Sequence, residues 1–155
     1  MRIRLAAQND VPDIVPLFNA YREFYGEKSD LDGANTCITE NLALGRSTIF
    51  VCDVANSTVG FTQLYPAFCS VEMKPFYVLY DLFVAPKSRR IGAGSALLSH
   101  AHAWAASQGA FQVVLETAHT NQKAQSVYEN IGYALDTEFR KYSTQSPLGS
   151  VSSKG

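Results

Sequence analysis

The segment from Val84 to Leu98 reads VAPKSRRIGAGSALL and sets three cations, Lys87, Arg89 and Arg90, in front of Gly92 and Gly94. Glycines let a backbone approach a ligand closely, and a helix that starts beside them offers unpaired N–H groups and a partial positive charge. Arginines add paired donors. Such a segment suits the retention of phosphate, with backbone and side chains of Arg89, Arg90, Ile91, Gly92, Ala93, Gly94 and Ser95 as the cradle. Two carboxylates interrupt otherwise apolar runs, Asp81 in VLYDLFV and Glu116 in VVLETA. An acid in that setting is paired, reaches a cleft or keeps its proton above the usual range, so both are candidates for proton transfer. Tyr128 offers a phenol that can donate a proton, or else a core aromatic beside Val127 and Ile131. The histidines are poorer bases: His100 and His102 stand two apart on a helix and cannot share a face, and His119 reads as a surface residue. Cys37, Cys52 and Cys69 are odd in number, widely spaced and without a CxxC pair, which argues against a disulfide framework or a zinc site.

These residues need elements to hold them. IRLAA at the start reads as a short strand. Asn9 or Asp10 then caps a helix over VPDIVPLFNAYREFYG, with Pro12 in its first turn, Gly26 at its end, and Pro16 marking a kink or a later start. A second, weaker helix is expected from about Asn35 to Leu44. STIFVCDV and TVGFTQLYPAF form a hairpin around ANS, and PFYVLYDLFV follows as a longer strand carrying Asp81. The glycine segment opens a helix from Ser95 to about Ser107. FQVVLETA is a strand carrying Glu116, Asn121 to Gly132 a helix carrying Tyr128, and YALDTEFRKYS a last strand. The order β-α-α-β-β-β-α-β-α-β predicts a mixed α/β domain over residues 1–143, followed by a polar tail at 144–155.

Composition narrows the possibilities. The chain has 155 residues, 46% hydrophobic and 17% charged, with a formal net charge of −1. One core-bearing domain fits that length. A nearly neutral chain lacks the broad basic face that nonspecific nucleic-acid binding requires, so any anion site is local. No apolar run reaches the roughly 18 residues of a membrane-spanning helix, and MRIRLAAQND lacks the apolar stretch of a signal peptide. A cytoplasmic location without nucleic-acid or membrane partners is the expectation.

The details of the glycine segment exclude two familiar phosphate binders. A dinucleotide fingerprint needs a third glycine or alanine where Leu97 stands, and a P-loop needs Gly-Lys-Ser/Thr. Arg89-x-x-Gly92-x-Gly94, after a strand and before a helix, instead resembles the R/Q-x-x-G-x-G/A acyl-coenzyme A signature of the GNAT (GCN5-related N-acetyltransferase) superfamily. Downstream, LETAHTNQKAQSVYENIGY resembles that family's L-E-x-x-x-x-N-x-x-A-x-x-x-Y-x-x-x-G-F/Y segment, with Asn121, Ala124, Tyr128, Gly132 and Tyr133 at its spacings. The chain departs from the pattern at Arg90, often glycine in the family. The resemblance implies a mostly antiparallel sheet flanked by helices, with splayed strands forming an acyl-CoA cleft. It implies direct attack of a primary amine on acetyl-CoA: a small cationic amine, an amino-acid derivative or a lysine side chain. Asn121 joins Arg89 to Ser95 on the cofactor side, and a backbone amide near Leu82, Phe83 or Val84 steadies the thioester oxygen. Tyr128 becomes the acid for the departing thiolate. Glu116 is favoured as the base, with Asp81 as a structural, amine-binding or alternative base residue. Acidic residues Glu23, Glu27, Asp30, Asp32 and Glu40 are either the acceptor surroundings, with Tyr21, Tyr25, Tyr65 and Phe68, or simply a solvated loop. A homodimer pairing near the last strand is also expected. The rival readings are a non-catalytic acyl-CoA sensor and a protein-interaction module.

Overall fold

The computed structural model describes residues 1–146, so most of the polar tail expected at 144–155 lies outside the described residues. Strand β1 (Arg2–Leu5) leads into helices α1 (Val11–Phe24) and α2 (Leu31–Ala43). Strands β2 (Thr48–Val54), β3 (Ser57–Cys69) and β4 (Lys74–Val84) follow, then α3 (Ala93–Ser107), β5 (Val113–Val114) and α4 (Gln122–Asn130). The sheet runs β1-β2-β3-β4-β5, antiparallel except for the parallel β4–β5 pair. No helix of the described residues is long and apolar enough to cross a membrane.

Alternation along the strands builds two cores, one on each face of the sheet. Ile49, Val51, Phe61 and Phe83 pack under α1 and α2, where Val11, Ile14, Val15, Ala34 and Ile38 supply the helical stripes. Phe50, Cys52, Leu64 and Leu79 pack against α3 through Ala93, Leu97, Leu98 and Ala101. Alanines on α3 let the helix lie close to the sheet. Burying a leucine or phenylalanine in either layer contributes about 1.5–3 kcal/mol.

Local chemistry sets the helix ends. Asp30 caps α2, its Oδ1 accepting the Gly33 N–H at 2.9 Å, so α2 begins four residues earlier than expected. Asp10 does not cap α1 through its side chain. Its carboxylate instead accepts two bonds from Arg4 and one from the Ala7 N–H, and Arg4 also reaches Asp53. Arg4 holds the Asp10 carboxyl below the usual carboxylate range. Pro16 sits inside an unbroken α1, on its exposed face, where the carbonyl it leaves without a helical donor faces water.

Two expected strands differ. The run expected over FQVVLETA pairs only at Val113 and Val114, opposite Tyr77 and Val78. The last strand expected over YALDTEFRKYS does not form: residues 133–146 carry no helix or strand. A strand needs a neighbouring edge for its N–H and C=O groups. The segment makes no ladder pairing with one, and Leu135, Phe139 and Tyr142 are each about four-fifths exposed.

Candidate active site

A bulge in the β3–β4 ladder positions the buried acid. Leu79 pairs with Leu64 and Asp81 with Gln63, so Tyr80 is an extra residue on β4. Each such insertion reverses which face the following side chains take. Leu79 therefore belongs to the α3 core, whereas Asp81 and Phe83 turn to the face covered by α1 and α2. Asp81 is 3% exposed. Burial pushes its carboxyl up to about 6, and the hydrogen bond from Gln63, with the Tyr21 hydroxyl nearby, restrains the rise. Gln63 Nε2 donates to Asp81 Oδ2 at 2.5 Å. Around it stand Tyr21, whose hydroxyl donates to the Tyr80 carbonyl at 2.9 Å, and Tyr65, whose ring meets Tyr80 edge-on. The phenols of Tyr21 and Tyr65 are raised by burial first and by the Asp81 charge next.

The second feature is the opening between β4 and β5. Pairing stops after Val78 and Val114, while β4 continues to Val84. Ala85 N–H donates to Val59 on β3 at 2.8 Å. Alternation then turns Phe83 N–H toward β3 and leaves Leu82 and Val84 N–H on the open edge. Of the three amides considered from sequence, Leu82 and Val84 face the cleft and Phe83 does not. The Phe83 ring lies beneath the Arg89 guanidinium, 5.7 Å from its centroid, and Arg89 Nε donates to the Val84 carbonyl at 3.0 Å. The guanidinium is thus moored at the mouth of the opening, with its terminal nitrogens exposed.

The third feature is the start of α3. Gly92, at φ 81°, flanks the helix without any side-chain cap. The first helical bond is Ala96 N–H to Gly92 O at 3.0 Å, leaving the N–H groups of Ala93, Gly94 and Ser95 without helical partners. A Cβ added at Gly92 or Gly94 would meet nothing within 4 Å, so the space over the helix end is open. Arg90 also takes a left-handed φ of 69°, a conformation that costs a side-chain-bearing residue about 1–2 kcal/mol. Arg90 and Ile91 are exposed, while Ala93 is buried against the sheet. Open space, free N–H groups and two guanidinium groups fit a polyphosphate.

Tyr128 shares this region. Its ring packs among the α3-side core and meets Tyr133 edge-on at 5.8 Å. Burial pushes the phenol up to about 12, with Tyr25 on α1 adding to the rise, and Tyr128 in turn raises Tyr21. Tyr128 on the α3 side and Tyr21 and Tyr25 on α1 thus lie close enough to sense one another's charge. Glu116 lies elsewhere in character: it is exposed and paired with Lys141. Asn121 spends its side-chain oxygen as the cap of α4, accepting the Ala124 N–H at 3.3 Å. His102 is bonded to Tyr133 and His100 packs on Phe50, so neither enters the cleft. The acidic cluster disperses: Asp30 caps α2, Glu40 pairs with Arg46, and Glu23 accepts from Asn19. Sequence reasoning had not picked out Gln63, Asn41 and Ser47, because buried amides and hydroxyls carry no spacing signature.

Comparison with known proteins agrees with this geometry. Residues 14–133 match the model of the acetyltransferase (GNAT) family. An uncharacterised N-acetyltransferase of Bacillus subtilis (strain 168), YhfO, is 47% identical over 147 residues, 95% of this chain and 99% of that one. The crystal structure of a probable acetyltransferase superposes with a TM-score of 0.89 at 35% identity, covering 94% of this chain and 97% of that one. A ribosomal-protein-alanine N-acetyltransferase from Brucella melitensis biovar Abortus 2308 shares the fold, with a TM-score of 0.78 at 18% identity over 94% of this chain and 99% of that one. The chain belongs to the GNAT family and is an acetyltransferase.

Proposed function

We propose that the protein transfers the acetyl group of acetyl-CoA to a primary amine by direct attack, with Asp81 as base and Tyr128 as acid. The observation that carries this reading is the buried Asp81, held by Gln63, on the strand whose open edge also carries the free Leu82 and Val84 amides. Acetyl-CoA supplies an acetyl group already activated as a thioester. Arg89, Arg90 and the N–H groups at the start of α3 hold its pyrophosphate, and the amides of Leu82 and Val84 steady charge growing on the carbonyl oxygen. Asp81 takes the proton of the incoming ammonium. Tyr128 gives its proton to the departing sulfur. Glu116, exposed and neutralised by Lys141, is the less suited base. The tyrosine rings of the cleft offer faces to a cationic amine. A small amine, an amino-acid derivative and a lysine side chain all meet these requirements. Thiol release from acetyl-CoA across a panel of such amines tests the reading, and no release with any of them would refute it.

Binding is separable from chemistry. Millimolar acetyl-CoA is expected to raise the melting temperature, since it binds only the folded chain. Replacing Arg89 and Arg90 together by Ala removes two charge-assisted contacts and weakens affinity by about tenfold or more. The loss is larger at low salt, where charge is least screened. An unchanged shift in the double variant would remove the two arginines from the cofactor site.

The same proposal covers assembly. Leu135, Phe139 and Tyr142 stand exposed in a β-prone segment, near the lone two-residue strand β5 at the sheet edge. A second copy of the chain is the natural cover for both. Light scattering at tens of micromolar should give the mass of a dimer, and Phe139→Asp should shift it toward monomer.

A further inference from the structure

Beneath the cleft, three buried polar side chains form a chain that leads to Asp81 and that the proton transfers above do not use. Gln63 is 0% exposed, Asn41 3% and Ser47 8%. Ser47 Oγ donates to Gln63 Oε1 at 2.6 Å, and Asn41 Nδ2 donates to the same oxygen at 3.0 Å. Asn41 Nδ2 also reaches the Tyr65 hydroxyl at 3.0 Å. The ionised Asp81 carboxylate only accepts, so it sets the Gln63 amide with Nε2 toward it, and Ser47 and Asn41 complete that orientation by donating to Oε1. Nε2 donates to Asp81 Oδ2. The reversed amide would set its oxygen against the buried carboxylate and leave Oδ2 without its donor.

We infer that Gln63, locked by Ser47 and Asn41, is a positioning residue that commits Asp81 Oδ2 to an amide donor and so directs the transferred proton to Oδ1. The inference rests on Asp81 being the base. Three consequences follow from the geometry. The carboxylate cannot rotate without breaking a buried hydrogen bond. Its ionised form is favoured by a fixed donor rather than by a mobile water. The lock originates on α2 and just before β2, so elements outside the cleft hold the base in register. The groups that sense the Asp81 charge from the packed elements are Tyr21 on α1, Cys37 on α2 and Tyr65 on β3. Burial raises all three, so they stay neutral while Asp81 titrates, and Gln63 is left as the donor that tunes it.

The experiment is a pH profile of kcat/KM with acetyl-CoA and an amine that the wild type accepts. Gln63→Met keeps the length of the side chain and removes the donor. Its acid limb should move to higher pH by about one unit, a tenfold loss below the midpoint that is regained above it. The melting shift given by acetyl-CoA should be unchanged, because the cofactor cradle is elsewhere. Ser47→Ala keeps Gln63 and loosens it, and should move the limb the same way by less. If Gln63→Met fails to melt cooperatively, Ser47→Ala decides alone. A uniform drop with an unmoved midpoint, in whichever variant folds, overturns the inference and makes the chain purely structural. Asp81→Asn is the control for the underlying reading. An Asp81→Asn enzyme that stays active at neutral pH refutes Asp81 as base, whereas an inactive one beside an unmoved Gln63→Met limb refutes only the role of Gln63.

Discussion

At pH 7, Asp81→Asn is expected to lower kcat/KM by about 10²–10⁴, the range for a lost general base. An aliphatic ammonium with a pKa near ~10.4 presents its free amine only rarely at that pH. With Asp81 ionised, the enzyme uses the abundant ammonium form. The wild-type profile should therefore climb through a midpoint near pH 6, where the raised carboxyl titrates, and then run flat. Without the base, the rate must follow the free amine, rising about tenfold per pH unit and recovering toward pH 10. Stability should move the opposite way. A carboxyl whose folded pKa exceeds its unfolded one costs nothing when both states are protonated. It costs progressively more as pH rises from about 4 to about 6, and a constant amount above that. Asparagine carries no such cost and can still accept from Gln63. Asp81→Asn should be more stable at pH 7 by about 1–3 kcal/mol, readable from urea denaturation. A variant both slower and more stable is the signature of a buried working acid. One that keeps a flat profile and wild-type rate would send the base role back to Glu116.

What the sequence made legible was whatever has a fixed period or a fixed spacing. The α1 stripe, the hairpin around residues 55–56 and the glycine turn before α3 all follow local rules, and each stands close to its expected bounds. Asp81 and Glu116 looked alike because both interrupt apolar runs. They were separated by features with no local signal. The bulge at Tyr80 is visible only in the register between β3 and β4, and it turns Asp81 inward. The short pairing of β5 leaves Glu116 beyond the ladder, free to meet Lys141 from a distant segment. Residues 133–143 had strand propensity but pair with no strand of the sheet, so propensity alone misplaced them. The acidic residues of α1 and α2 suggested a cation site by composition, yet helix capping and pairing with Arg46 account for several of them.

Tyr128→Phe should cost about 10²–10⁴ in turnover while leaving the fold and the affinity for acetyl-CoA intact. The ring packs in the α3-side core and against Tyr133, and phenylalanine keeps both contacts. Only the hydroxyl is lost. At about 12, the phenol stays protonated throughout the working range, so it is always ready to donate. It is then a weaker acid than a free thiol near ~8.5, but the comparison must be made inside the cleft. The burial that raises the phenol raises the departing thiol as well, since both lose solvation of the same charge. A hydrogen bond to the sulfur as the C–S bond lengthens lowers the barrier before the proton has fully moved. The pH dependence separates this role from that of Asp81. Raising the pH supplies free amine and rescues Asp81→Asn, but it makes protons scarcer and gives Tyr128→Phe nothing. The Tyr128→Phe deficit should accordingly stay constant or widen from pH 6 to pH 9. If turnover is unimpaired with a well-accepted amine, the phenol serves the core alone and the sulfur leaves without its help.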